Sequence, residues 1–163
     1  MSITDPSKQL KSLDTPSKVI KVAVAVIHYG DRYLLGYRHA HQHQGNRYEF
    51  VGGKIGQGEA SEEALRREVF EEIGMTLSKA DSIDFIQSIT HTYPAKNVDE
   101  VDKTVNLEVF NLALSKQTYD KHANQTVGLE GQKVIWVKKS DLLANHYPLP
   151  EANNQILAWL KTM

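Results

Sequence analysis

Nine consecutive residues, Val19 to Ile27 within "KVIKVAVAVIHY", are apolar except for Lys21. Side chains alternate faces along a strand, so a β-branched run with almost no alternation predicts a strand covered on both sides. That requirement points to a layered fold with its sheet in the middle.

The remaining patterns supply the layers. Gly30-Asp31 reads as a turn into a second strand, "RYLLGYR", which makes a hairpin. After the polar "HAHQHQGN", the stretch "RYEFVGGK" reads as one short strand ending in two glycines. Ser61 to Ile73 reads as a helix, with Ser61 as N-cap, Glu62 and Glu63 in the first turn, and Gly74 at the position of a C-terminal stop. Further strands are expected at "SIDFIQSITHTY", "KTVNLEVFNLAL" and "QKVIWVKK". A short helix at "SDLLANH" and an amphipathic one at "EANNQILAWLKTM" complete the order. Strands outnumber helices and the order is mixed, which predicts an α/β or α+β sandwich. Residues 1–17, polar with Pro6 and Pro16, read as a flexible arm before a single domain over 18–163.

Composition removes several classes of function. The chain has 163 residues, 40% hydrophobic and 24% charged, as expected of a soluble globular domain. A formal charge of −1 and a pI near 6.7 disfavour a nucleic-acid polymer as partner, while a small nucleotide needs only local cations or a metal. The absence of cysteine rules out disulfides and Cys-based zinc sites. No apolar run approaches the ~18 residues of a membrane span, and the start lacks a secretory apolar core. The cytoplasm is the default expectation, for a monomer or a homodimer.

The charge is unevenly spread. From Gly53 to Met75, six glutamates face Lys54, Arg66 and Arg67, a local charge of −3 within a chain of only −1. At about 100° per residue from Leu65, Val69 and Ile73 continue a narrow apolar stripe. Glu68, Glu71 and Glu72 fall near 300°, 240° and 340°, on one flank beside it. Carboxylates gathered so are hard oxygen donors suited to Mg²⁺ or Mn²⁺ rather than zinc. Arg67 borders them and can pair with Glu71 four residues on. Gly52, Gly53, Gly56 and Gly58 precede the helix and let backbone approach a ligand closely. A metal–phosphate site is one reading; a solvated acidic face after a flexible loop is the other.

Gly53, Glu59 and then "REVFEEIGM" fill every fixed position of a known signature. The spacing resembles the box of the Nudix hydrolases, enzymes that cleave a diphosphate linked to another moiety X using divalent metal. The resemblance implies a Nudix-type α/β/α sandwich with a mixed central sheet. It also implies that Glu68, Glu71 and Glu72 act as metal ligands, joined by the Gly52 carbonyl. Glu59 and Arg67 would brace the loop and orient the glutamates, with Gly53 and Gly74 as structural positions of the box.

The flanks resemble the MutT-like branch. "NRYEFVGGKI" is similar to its N-x-x-E-F-P-G-G-K-I run, with Val51 in place of proline. "GLEGQKVIWV" makes Glu130 a fourth carboxylate and a general base, the alternative being an exposed loop acid. "YPLPEANNQILAWL" places Asn153 where that branch reads an oxidised guanine edge with an amide, the alternative being a helix cap. Phe50 would line the base pocket, or be a plain core aromatic; Arg38 would meet phosphate, or lie on the surface. Tyr93, beside His91 in "THTYP", is available to stack on a base or to pack in its strand. His39, His41 and His43 alternate in a polar segment, and Trp136 and Trp159 sit at core-like positions. Stretches 94–103 and 115–127 are longer than in the branch, which leaves X least constrained. The resemblance implies pyrophosphohydrolysis of oxidised purine nucleoside triphosphates such as 8-oxo-dGTP, to the monophosphate and pyrophosphate. ADP-ribose, a nucleotide sugar or a diadenosine polyphosphate is the alternative substrate, and a non-catalytic nucleotide sensor the alternative class.

Overall fold

The computed structural model describes residues 19–38 and 47–163, except for the side chain of Arg38. The expected arm over 1–17 and the His39, His41 and His43 segment lie outside the described residues. Strand β1 is Val19–Tyr29, β2 Arg32–Arg38, β3 Arg47–Glu49 and β4 Val51–Lys54. Helix α1 is Ser61–Ile73, followed by β5 Ser82–Tyr93 and β6 Lys103–Ala113. Then come α2 Lys116–His122, β7 Val134–Lys138, α3 Lys139–Leu143, a 3₁₀ turn Glu151–Asn153 and α4 Asn154–Lys161.

β1 is the centre of a seven-stranded mixed sheet. It pairs parallel with β6 from Val19↔Thr104 to His28↔Ala113, and antiparallel with β2 and β4 on its other edge. Ala23 to Ile27 are all buried, and they alternate between two cores. Ala23, Ala25 and Ile27 meet Ala64, Leu65, Val69 and Ile73 of α1. Val24 and Val26 meet Leu142 of α3 and Ala152, Ile156 and Leu160 at the C-terminal end. The apolar run is therefore the middle layer of an α/β/α sandwich, each buried Val or Ile side chain contributing about 1.5–3 kcal/mol and each Ala less.

The stretch Arg47–Lys54 departs from expectation, forming two strands instead of one. β3 pairs with the far end of β2, Gly36↔Glu49 to Arg38↔Arg47. Beyond Phe50 the chain crosses to β1 as β4, Ala25↔Val51 to Val22↔Lys54. β1 and β2 pair only at His28↔Tyr33 and Tyr29↔Arg32, so a fork opens between them and this stretch fills it. Phe50 faces the second core and Val51 the first.

Two further differences concern helix ends. The N-cap of α1 is Ala60, whose backbone is extended (φ −73°, ψ 152°), and Ser61 is the first helical residue. Glu63 does the capping by accepting from the Ala60 N–H at 3.1 Å. Helix α2, unforeseen in the expanded 115–127 stretch, starts where Ser115 accepts from the Thr118 N–H and is supported by Lys116–Asp120 at 2.6 Å.

Asp81 ties these segments together. Its carboxylate accepts from Ser78 N (2.8 Å), Ser115 N (2.7 Å) and Thr118 Oγ1 (2.9 Å). Burial opposes its charge, but these bonds together hold its pKa below the usual value. Asp81→Ala is expected to cost about 2–4 kcal/mol in urea unfolding, with an unchanged m-value. A lowered folded pKa stabilises above the unfolded value of 3.8, and that stabilisation is lost as pH falls through the lower folded one. Wild type and variant are therefore expected to converge in stability towards strongly acid pH.

Candidate active site

The glycine pair at the end of the fork brings backbone against the acidic helix. A Cβ on Gly53 would collide with the Glu68 carboxyl, and one on Gly52 with the Ala23 carbonyl. At Gly52, where the obstacle is backbone, only hydrogen fits; at Gly53 a side chain would displace the Glu68 carboxyl. Gly74 closes α1 in the left-handed region (φ 77°), its N–H on the Phe70 carbonyl at 2.8 Å.

Arg67 is the hub of the acidic cluster. Its Nε and Nη2 donate to the two oxygens of Glu59 at 2.8 and 2.9 Å. Nη1 reaches Glu68 Oε1 at 2.9 Å and Glu71 Oε1 at 2.9 Å, while Nη2 also meets the Lys54 carbonyl at 2.9 Å. Glu59 additionally accepts from the Gly56 N–H at 2.8 Å. The Arg67 bonds, then that backbone bond, lower the Glu59 pKa to about 2. The loop Lys54–Glu59 is thereby fixed to the helix by one guanidinium, whose own proton the three carboxylates hold more tightly.

Glu72 lies on the inner side of the cluster. Burial first, then the bonding and charge of Glu68 and the charges of Glu49 and Glu130, push its carboxyl up to about 9. Its Oε2 is buried without a hydrogen-bond partner. Four carboxylates thus converge electrostatically, and an orphaned buried oxygen among hard donors is the chemistry of a divalent-cation site. Among the described residues, no three His, Asp or Glu side chains are drawn together as a finished ligand cage. Instead Arg67 engages Glu68 and Glu71.

Glu130 reaches this cluster through the helix end. The last carbonyls of a helix lack intrahelical partners. Here the Glu72 carbonyl accepts from Leu129 N at 2.8 Å and Gln132 Nε2 at 3.1 Å, and the Ile73 carbonyl from Gln125 Nε2 at 3.0 Å. The turn 128–132 is closed by Gly128 N on the Gln132 carbonyl at 2.7 Å. It carries an exposed Glu130 beside a cavity of about 120 Å³ that Glu49, Phe50, Glu72 and Gln132 also line.

A larger cavity, about 350 Å³, adjoins it. Apolar side chains such as Val24, Val105 and Leu107 form its walls, with Phe50, Tyr93, Asn153, Lys54 and Lys103 around them. Glu49 and Phe50 line both cavities, so the partner switch in the fork is where the two meet. Phe50 is both a core aromatic and a wall. Asn153 is buried at the start of α4, yet its side chain makes no capping bond and Nδ2 donates instead to the Pro150 carbonyl at 3.3 Å. Tyr93 lines the cavity while its hydroxyl accepts from the Ala152 N–H at 3.0 Å. Arg38 pairs with Arg47 in the sheet, its side chain lying outside the described residues.

Three lining residues escaped the sequence reading. Lys54 carried a signal, since it follows the glycine pair. Glu49 belongs to the same run as the glycine pair, whereas Lys103 looks like any polar strand residue, and only tertiary pairing brings it to the cavity.

A family model described as NUDIX domain matches residues 19–160. An 8-oxo-dGTP diphosphatase of Haemophilus influenzae is 32% identical over 133 residues, 80% of this chain and 85% of that protein. A CTP pyrophosphohydrolase of Escherichia coli is 28% identical over 141 residues, 86% and 90% of the two chains. Among solved structures, a MutT from work on Aliivibrio salmonicida and Vibrio cholerae matches with a TM-score of 0.63 and 27% identity, covering 89% of this chain and 98% of that one. With the signature box on α1, the layered fold and the family match in agreement, this chain belongs to the Nudix hydrolases.

Proposed function

We propose that this protein hydrolyses oxidised purine nucleoside triphosphates such as 8-oxo-dGTP to the monophosphate and pyrophosphate. The observation that carries this reading is the pair of adjoining cavities, one acidic and one apolar with an amide on its wall. A triphosphate with a planar base needs that combination. The diphosphatase relatives support the same substrate class.

In this reading Glu68, Glu71, Glu72 and the Gly52 carbonyl hold Mg²⁺ or Mn²⁺, with Glu130 as a further carboxylate. A cation bound there neutralises phosphate charge, polarises phosphorus and lowers the pKa of an attacking water. Arg67 and Glu59 orient the ligands, and Gly53 lets the loop lie against them. Glu130, exposed at the mouth, takes the proton of the attacking water as general base. Lys54 and Lys103 offer positive charge at the cavity wall, and Phe50 faces the base. Asn153 presents an amide, which can donate and accept along a purine edge.

The test is a substrate panel with product identification, comparing 8-oxo-dGTP, dGTP, CTP, ADP-ribose and diadenosine tetraphosphate. Highest kcat/KM for 8-oxo-dGTP, yielding pyrophosphate, supports the proposal; preference for CTP or a dinucleotide replaces it. Binding without turnover of any member would instead indicate a sensor. Asn153→Ala is expected to reduce the preference for 8-oxo-dGTP over dGTP at least tenfold, since a polar site left unpaired discriminates strongly. An unchanged ratio removes Asn153 from base reading.

A further inference from the structure

We propose that His91 and Tyr93 form a clamp on strand β5 that positions the Glu151–Asn153 turn, and with it the amide that discriminates between substrates. This rests on the reading of Asn153 as facing the base. Alternate residues of β5 after its bulge face the C-terminal segment, and they engage it in register. Gln87 Nε2 donates to the Gln155 carbonyl at 3.3 Å, and Ile89 is buried in the second core. His91 Nε2 lies 3.4 Å from Glu151 Oε2 without forming a hydrogen bond, and Tyr93 Oη accepts from the Ala152 N–H at 3.0 Å. The His91 and Tyr93 rings meet edge to face at 4.6 Å, so each fixes the other.

The turn needs such support. It is three residues long, held within itself by Asn153 N and Nδ2 on the Pro150 carbonyl, at 2.9 and 3.3 Å, and by the Asn154 N–H on the Glu151 carbonyl. Asn153 does not cap α4 through its side chain. The Ala152 N–H, at a helical N-terminus, has no partner from the helix, and burial makes its acceptor essential. Tyr93 supplies that acceptor from strand β5. A single amide reading a base edge depends on sub-ångström placement, so a hydroxyl bonded one residue away acts on recognition without touching substrate. His91 and Tyr93 are positioning residues in this scheme.

Tyr93→Phe keeps the ring in the cavity wall and removes the hydroxyl that accepts from the Ala152 N–H. With the best triphosphate of the panel, KM is expected to rise about tenfold while kcat falls less than threefold. The preference for the oxidised base shrinks in parallel. In an Asn153→Ala background, the same substitution is expected to add less than twofold, because its route to the substrate is gone. An unchanged KM in the single variant overturns the clamp, and so does a full multiplicative effect in the double variant. Amide hydrogen exchange at Ala152 separates this from the substrate reading. Faster exchange in Tyr93→Phe supports the clamp even if Asn153→Ala leaves base preference untouched; an unchanged rate overturns it whatever the substrate.

Discussion

Replacing Glu72 by Gln is expected to lower kcat by about a thousandfold or more at saturating Mg²⁺, with no loss of thermal stability in EDTA. The two signs differ because one carboxyl is asked to do opposite things. Without a cation it is a buried acid pressed by Glu68, Glu49 and Glu130, its Oε2 lacking a partner, and its charge is disfavoured. An amide of the same shape relieves that repulsion, so the metal-free melting temperature stays level or rises. With a cation bound as proposed, the negative charge would serve as ligand, and the amide would be a poor substitute. Near-normal turnover would remove Glu72 from the metal site. A large fall in melting temperature would show that the substitution disturbs the fold and would withdraw the catalytic interpretation.

Loss of Arg67 ranks second. Arg67→Ala is expected to reduce kcat/KM about a hundredfold and to weaken Mg²⁺ affinity about 10–100-fold. The side chain joins Glu59, Glu68, Glu71 and the Lys54 carbonyl, so its removal frees the loop and leaves three carboxylates to repel one another. Arg67→Lys should restore little, because an ammonium cannot bridge both Glu59 oxygens while reaching the helix carboxylates. Kinetic titration with Mg²⁺ and Mn²⁺ reads both variants. Full activity in Arg67→Lys would show that position 67 contributes charge alone, without the forked geometry.

How much of this could be read from the residues depends on whether the signal was local. Helix α1 was legible to both ends because its apolar stripe and Gly74 lie within one segment. Its cap was misread because a serine is the usual capping residue, whereas here Glu63 reaches back to Ala60. The division of Arg47–Lys54 was hidden, since alternation continues through Phe50 and only the fork between β1 and β2 makes the chain change partners. Helix α2 buries only Thr118 and so shows no apolar stripe to find. The acidic flank of α1 was visible as spacing, but Glu49 joins it from another strand, and no sequence period connects them.

The double acceptance at the Glu72 carbonyl bears on how such a chain can change length. Leu129 and Gln132 register the turn 128–132 from its own end, by bonds to the helix rather than by the path from β6. Chain can therefore be gained or lost near Ala123 and Asn124, between the bonds of Thr118 to Asp81 and of Gln125 to the Ile73 carbonyl, without shifting Glu130 relative to Glu72. This connection is the natural place for an engineer to graft a reporter.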